Sequence, residues 1–300
     1  MANAPTLDFN AFVTRRKAER AGGAMEGAHD YSYVLDRQTR ATFESAKPIE
    51  LAVSSAVRVF KERERGRLLG SAVKVSERQF SRVHTITREC SETLGIIPPQ
   101  VYLVSSPHMN AGTFGTEEES FIVVHSALVD QYTDEELRFV IGHECGHIHN
   151  SHVVYLTTLH FLRLVAEAYL GALVMPAMLP LMAWSRRAEI TSDRAGMMCS
   201  KDPLVAARAL TKLVVGSKKL YEEFNLDAFL EQYEEGKESI GRYMEALASH
   251  PFLPKRVLAM RVFAEAELYK KHVLSSDAIQ GGLTMPEVDD RVKGLLKGDA

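Results

Sequence analysis

Residues 133–150 read TDEELRFVIGHECGHIHN. Thr133 with Glu136 three positions on forms a capping box, which satisfies the first orphan N–H groups of a helix. Val140, Ile141 and Ile148 supply apolar faces, so the helix is expected to be buried. Within it stand His143, Glu144 and His147, the pattern H-E-x-x-H. Four positions are a little more than one helical turn, so both imidazoles leave one face and can share one metal ion. Glu144 can reach a water on that metal without being a ligand itself. His149 points off that face. With eleven histidines in the chain, a chance match is roughly a few-per-cent event. What decides is a third ligand, because a catalytic site needs three protein ligands and an open fourth position.

The third ligand is sought in WSRRAEITSDRAG, residues 184–196. Glu189 and Asp193 are four apart and share a helix face. Glu189 can ligate the metal, while Asp193 can accept the ring N–H of a ligand histidine and fix its tautomer. Taken alone, these acids read better as partners of Arg186, Arg187 or Arg194 on a solvated helix. Beside an upstream H-E-x-x-H the functional reading prevails. Gly196 suits close helix packing.

The composition narrows the class. Of 300 residues, 46% are apolar and 25% charged, which is ordinary for a globular chain with a sizeable core. A net charge of −3 gives no bulk attraction to nucleic acid or anionic lipid. Cys90, Cys145 and Cys199 are odd in number and scattered. That argues for a reducing compartment, hence a cytoplasmic protein, and Cys145 is read as packing. The opening MANAPTLDFNAFVTRRK lacks an apolar core of signal-peptide type.

Outward from the motif, residues 6–20 read as a polar helix and 21–27 as a joint. Helical pattern covers 39–65, broken near Pro48, and KERERGR (61–67) reads as a solvated helix end. SAVKV (71–75) suggests a short strand, and 76–95 a helix opened by Ser76 with Gln79 and stopped by Gly95. VYLVS (101–105) and FIVVH (121–125) read as strands. Between them, Asn110, Ala111 and Gly112 form either a glycine-rich turn or an edge strand able to hold an extended peptide. Residues 168–185 carry no charge. One membrane crossing there would part His147 from Glu189, and Pro176 and Pro180 should break a long helix. The tract from Val153 to Trp184 is therefore expected to be a buried or interface-lying helical hairpin. Helices are expected over 203–216, 226–235, 237–248 and 254–272, followed by a poorly packed tail.

Taken together, the Asn110-Ala111 pair, the extended motif SALVDQYTDEELRFVIGHECGHIHNSH, the SRRAEITSDRAG block and SHPFLPKR (249–256) resemble the HtpX / CAAX-prenyl-endopeptidase family of gluzincin metallopeptidases. The resemblance covers roughly residues 31–265. It implies one zinc ion held by His143, His147 and Glu189, Glu144 as base, Asp193 behind the ligands, and Asn110 to Gly112 on the substrate side. It also places His250 and Arg256 near the cleft. Either could stabilise a developing oxyanion; alternatively His250 fills the fourth metal position and keeps the enzyme latent. Two departures stand out. The chain lacks the family's membrane spans, so it resembles a soluble branch, and Gly112 stands where a bulkier residue is common.

The resulting expectation is an α+β, mainly α, zincin-like fold with a small sheet beside the H-E-x-x-H helix. Residues 1–30 would be an extension, 31–272 one metallopeptidase domain, and 273–300 a tail. The function expected is zinc-dependent peptide-bond hydrolysis on a peptide or protein substrate, with no nucleic-acid partner and no membrane span. Two alternatives stand: a non-catalytic interaction protein with a structural zinc site, and a quality-control protease with peripheral membrane contact through 153–184.

Overall fold

A computed structural model describes residues 28–44, 70–115, 120–166, 171–236, 252–275 and 281–296, with the single positions 53 and 66. After a 3-10 turn at Ala28–Tyr31, the helices are α1 (Val34–Glu44), α2 (Ser81–Leu94), α3 (Ser126–Gln131), α4 (Asp134–His149), α5 (Val153–Val165) and α6 (Gly171–Ser200). They continue with α7 (Pro203–Val215), α8 (Lys218–Tyr221), α9 (Leu226–Gly236), α10 (Leu253–Ala264), α11 (Glu267–Leu274) and α12 (Met285–Leu295). The strands are β1 (Ala72–Lys74), β2 (Gln100–Val104), β3 (Ala111–Gly115) and β4 (Ser120–His125). The fold is mainly helical with one small mixed sheet, the expected α+β class.

The sheet runs β1-β2-β4-β3. β2 and β4 are parallel, while β1 and β3 flank them antiparallel. β3 is therefore an edge strand, and Ala111 and Gly112 belong to it rather than to a turn, with Asn110 just before it. Ile122, Val123 and Val124 of β4 are all buried, so this strand is covered on both faces at its centre.

The capping box of α4 is formed on both sides. Thr133 Oγ1 accepts the Glu136 N–H at 3.3 Å, and Glu136 Oε2 accepts the Thr133 N–H at 2.9 Å. The same carboxylate accepts from the buried Lys212 ammonium of α7 at 2.6 Å. A buried charge is thus paired and hydrogen-bonded, the condition for tolerating it. α4 is buried along most of its length and crosses α6 closely. At Gly146 an added Cβ would fall 2.5 Å from the Ala195 Cβ, and at Gly196 one would fall 2.8 Å from the Phe139 carbonyl oxygen. The crossing is as close as it is because no side chain stands there. That closeness brings Glu189 over the histidines.

Four expectations change. Ser76 and Gln79 form an isolated backbone bridge instead of a capping box, and α2 starts only at Ser81. α6 runs through Pro176 and Pro180 without a break. Each proline removes one backbone donor at a cost of about 3 kcal/mol, but burial of Leu181, Met182, Trp184 and Ala188 further along offsets it. The expected 254–272 helix bends at Ala266 into α10 and α11, because the Glu267 N–H and the Glu265 carbonyl are engaged by Leu283. The expected loose tail contains α12, whose Val288 and Val292 are fully buried. The expected helices at 6–20 and 237–248 and most of that at 39–65 lie outside the described residues. α5 and α6 pack against each other, and residues 167–170, which join them, lie outside the described residues. Among the described residues, no helix is long and apolar enough to cross a membrane.

Candidate metal centre

α4 presents His143 and His147 from one face, and α6 brings Glu189 against them. The His143 and His147 Nε2 atoms are 3.2 Å apart. Glu189 Oε2 lies 3.5 Å from His143 Nε2, and Oε1 lies 3.4 Å from His147 Nε2. All three side chains are buried. Zinc–nitrogen and zinc–oxygen distances of about 2.0–2.2 Å with tetrahedral angles put neighbouring donors about 3.3–3.5 Å apart. The two ring nitrogens and the Glu189 carboxylate, which turns one oxygen to each ring, suit one ion held between them, with one ligand atom from each residue within 4.8 Å of the others. Two imidazoles and a carboxylate are also the donor types that suit zinc. Among the described residues, this is the group of histidine, cysteine and acidic side chains that could hold a metal ion.

A layer of polar groups orients these donors. Asp193 Oδ1 lies 3.0 Å from His143 Nδ1, so the ring can donate there and keep its Nε2 lone pair for a metal. Asp193 in turn accepts two hydrogen bonds from Arg256 of α10, at 2.8 and 2.6 Å. Arg256 Nη1 also pairs with Glu189 Oε2 at 3.0 Å. Burial opposes ionisation of Asp193, yet the Arg256 charge and hydrogen bonds prevail and hold its carboxyl below the usual range. Burial also works against a protonated His143, but Glu189 and Asp193 outweigh it and raise its pKa. For His147 burial wins and its pKa falls.

Glu144 is buried, and its carboxylate accepts a 2.6 Å hydrogen bond from Thr113 Oγ1 of β3. The same hydroxyl lies 3.2 Å from the Glu144 carbonyl. The edge strand and the H-E-x-x-H helix are therefore joined at one side chain, two positions after Ala111.

Of the residues singled out from sequence, His143, His147, Glu189, Asp193 and Arg256 come together, with Glu144 beside them on α4. Arg256 sits behind the carboxylates, its guanidinium taken up by Asp193 and Glu189. Ala111 and Gly112 lie on the edge strand, and the Asn110 carbonyl, just before it, accepts from the His125 N–H at 2.9 Å. His250 lies outside the described residues. Sequence reasoning passed over Thr113, His152 and Asp36. His152, five positions after His147, is fully buried with its Nδ1 3.1 Å from His147 Nδ1. Only the fold reveals this, since Asp36, its other partner, is 116 positions away.

Comparison with known proteins agrees with this geometry. The model of Peptidase family M48 matches residues 77–263. The chain belongs to peptidase family M48. It is 34% identical over 220 residues to the plastoglobule-localized metallopeptidase 48 of Arabidopsis thaliana, covering 67% of this chain and 62% of that protein. The chain thus spans a little under two thirds of that relative's length. Two protease HtpX homologs of Tropheryma whipplei, strains Twist and TW08/27, are each 24% identical over 225 residues, covering 65% of this chain and 76% of each relative. The family match takes in β2 to β4, the H-E-x-x-H helix, the α6 acids and Arg256, which are the elements that build the metal centre.

Proposed function

We propose that this member of family M48 is a zinc-dependent metalloendopeptidase. The observation that carries the reading is the meeting of His143, His147 and Glu189, with one ligand atom from each within 4.8 Å of the others, and Glu144 on the helix of the two histidines. His143, His147 and Glu189 would hold the ion, and Arg256 with Asp193 would brace Glu189 and His143 from behind. Zinc in such a site supplies Lewis acidity and lowers the pKa of a bound water to about 7.

The chain's own groups do the rest. Glu144 accepts the proton of the attacking water on its carboxylate and passes it to the leaving amine. Thr113 holds that carboxylate in place through its hydroxyl. Ala111 and Gly112 on the edge strand, with Asn110 just before it, offer backbone groups along which an extended peptide substrate can pair. His250 is assigned by the family resemblance to the open side of the site, as cover or as oxyanion partner, and the assay below on a His250→Ala chain reads which. A purely structural zinc site gives no use for a buried glutamate oriented by a dedicated hydroxyl, which favours the catalytic reading.

We infer a cytoplasmic protein in peripheral contact with a membrane. The plastoglobule-localised name of the Arabidopsis relative supports the membrane contact. Flotation with liposomes tests it.

The test of function is hydrolysis of casein or a quenched peptide with and without a chelator. Glu144→Gln should keep one zinc per chain and lose hydrolysis by about 10²–10⁴-fold, the usual share of general acid–base catalysis. Equal cleavage by Glu144→Gln would remove Glu144 from the reaction.

A further inference from the structure

His143 has its carboxylate partner in Asp193, and the structure holds a second, longer arrangement behind His147. His147 Nδ1 faces His152 Nδ1 at 3.1 Å, and His152 Nε2 faces Asp36 Oδ2 at 2.9 Å. Asp36 comes from α1 and accepts at 2.8 Å from the Trp184 indole N–H and at 2.7 Å from Thr191 Oγ1. Asp36, His152, Trp184 and Thr191 are all buried, none more than 1% exposed. We propose that Asp36 and His152 act as a relay that sets the tautomer of His147 and so positions its Nε2 lone pair for metal binding.

The argument rests on the metal reading above and runs through each proton in turn. A metal on His147 Nε2 requires the ring proton on Nδ1, and that proton needs an acceptor. His152 Nδ1 can accept only if the His152 proton sits on Nε2. Asp36 draws it there, because an ionised carboxylate accepts and never donates. The carboxylate is itself fixed. Trp184 can only donate, and Thr191 Oγ1, which accepts the Tyr33 N–H at 3.1 Å, gives its proton to Asp36 because a carboxylate can only accept. Ser192 Oγ also lies 3.0 Å from His147 Nδ1. A hydroxyl can donate or accept, so Ser192 follows the tautomer and cannot dictate it. Asp36 and His152 are positioning residues: they touch neither substrate nor metal.

Asp36→Asn tests this at constant shape. The Trp184 N–H claims the amide oxygen, which turns the amide N–H₂ towards His152 and inverts both tautomers. Zinc affinity, measured by competition with a chromogenic chelator on the full chain, should fall about 10–100-fold, as for outer partners of metal-binding histidines. Ser192→Ala should stay within a few-fold of the parent. If the parent itself takes up no zinc, the metal reading fails and the relay with it. If the parent binds and Asp36→Asn binds equally, the relay alone fails. Should Asp36→Asn not fold, the zinc-loaded parent with ¹⁵N-labelled histidines answers instead. Protons on His147 Nδ1 and His152 Nε2 are expected, and a proton on His152 Nδ1 overturns the proposal.

Discussion

Thr113 shows how much one hydroxyl can decide. It is buried, it sits on the strand assigned to substrate, and it donates to the carboxylate assigned as base at 2.6 Å. Thr113→Val keeps shape and removes the donor. Hydrogen bonds to charged groups contribute about 1.5–3 kcal/mol, so kcat should drop roughly 10–100-fold with KM little changed, and Thr113→Ser should restore most of it. A Thr113→Val enzyme with unchanged kcat, measured in steady-state hydrolysis, would show that Glu144 needs no such support. At this scale the sequence was legible where partners are four apart. The shared faces of His143 with His147 and of Glu189 with Asp193 follow from helical geometry, and the upstream motif gives the second pair its meaning. Thr113 to Glu144 spans 31 positions and crosses from strand to helix. No local periodicity records such a pair.

Between elements, the deciding contact is the crossing of α4 and α6. The donors converge because Gly146 and Gly196 let the two helices approach without a side chain between them. Gly146→Ala would set a methyl 2.5 Å from the Ala195 Cβ. Overpacking of this kind costs about 1–3 kcal/mol, and the helices must part at the metal site to relieve it. Denaturant midpoints should therefore fall, and zinc affinity with them; an unchanged affinity would mean that the crossing does not set the site. The capping box of α4 was legible because its two partners lie within one turn. The continuity of α6 through two prolines was not, because the burial that offsets them comes from the packing of α1 and α5 around Phe43, Leu159 and Trp184. Nor was the bend at Ala266, which depends on a backbone pairing with Leu283.

Across the molecule, the two ends of the described chain meet behind the metal helices. Arg194 of α6, 1% exposed at its side chain, pairs with Asp289 of α12 at 2.8 Å. Its guanidinium also donates to the Tyr31 carbonyl at 3.0 Å, while the Val34 N–H, at the start of α1, donates to Asp289 at 3.2 Å. One buried ion pair thus ties α12 to α6 and to the segment that carries Asp36. Asp289→Ala leaves Arg194 charged and unpaired, which should cost about 3–5 kcal/mol in urea unfolding. The double change Arg194→Met with Asp289→Ala should cost clearly less. If the single change is silent, α12 does not support the fold. A short, polar C-terminal segment gives no sign of this in sequence, since its two buried valines stand among charges and its partner is 95 positions upstream.

The account as a whole depends on one ion at one place. Anomalous diffraction at the zinc edge, collected on zinc-loaded Glu144→Gln crystals, tests that most directly. One peak per chain is predicted, within about 2.0–2.2 Å of His143 Nε2, His147 Nε2 and a Glu189 carboxylate oxygen. A zinc peak that leaves Glu189 outside bonding distance, or a zinc-loaded chain with no peak between the two histidines, would contradict it.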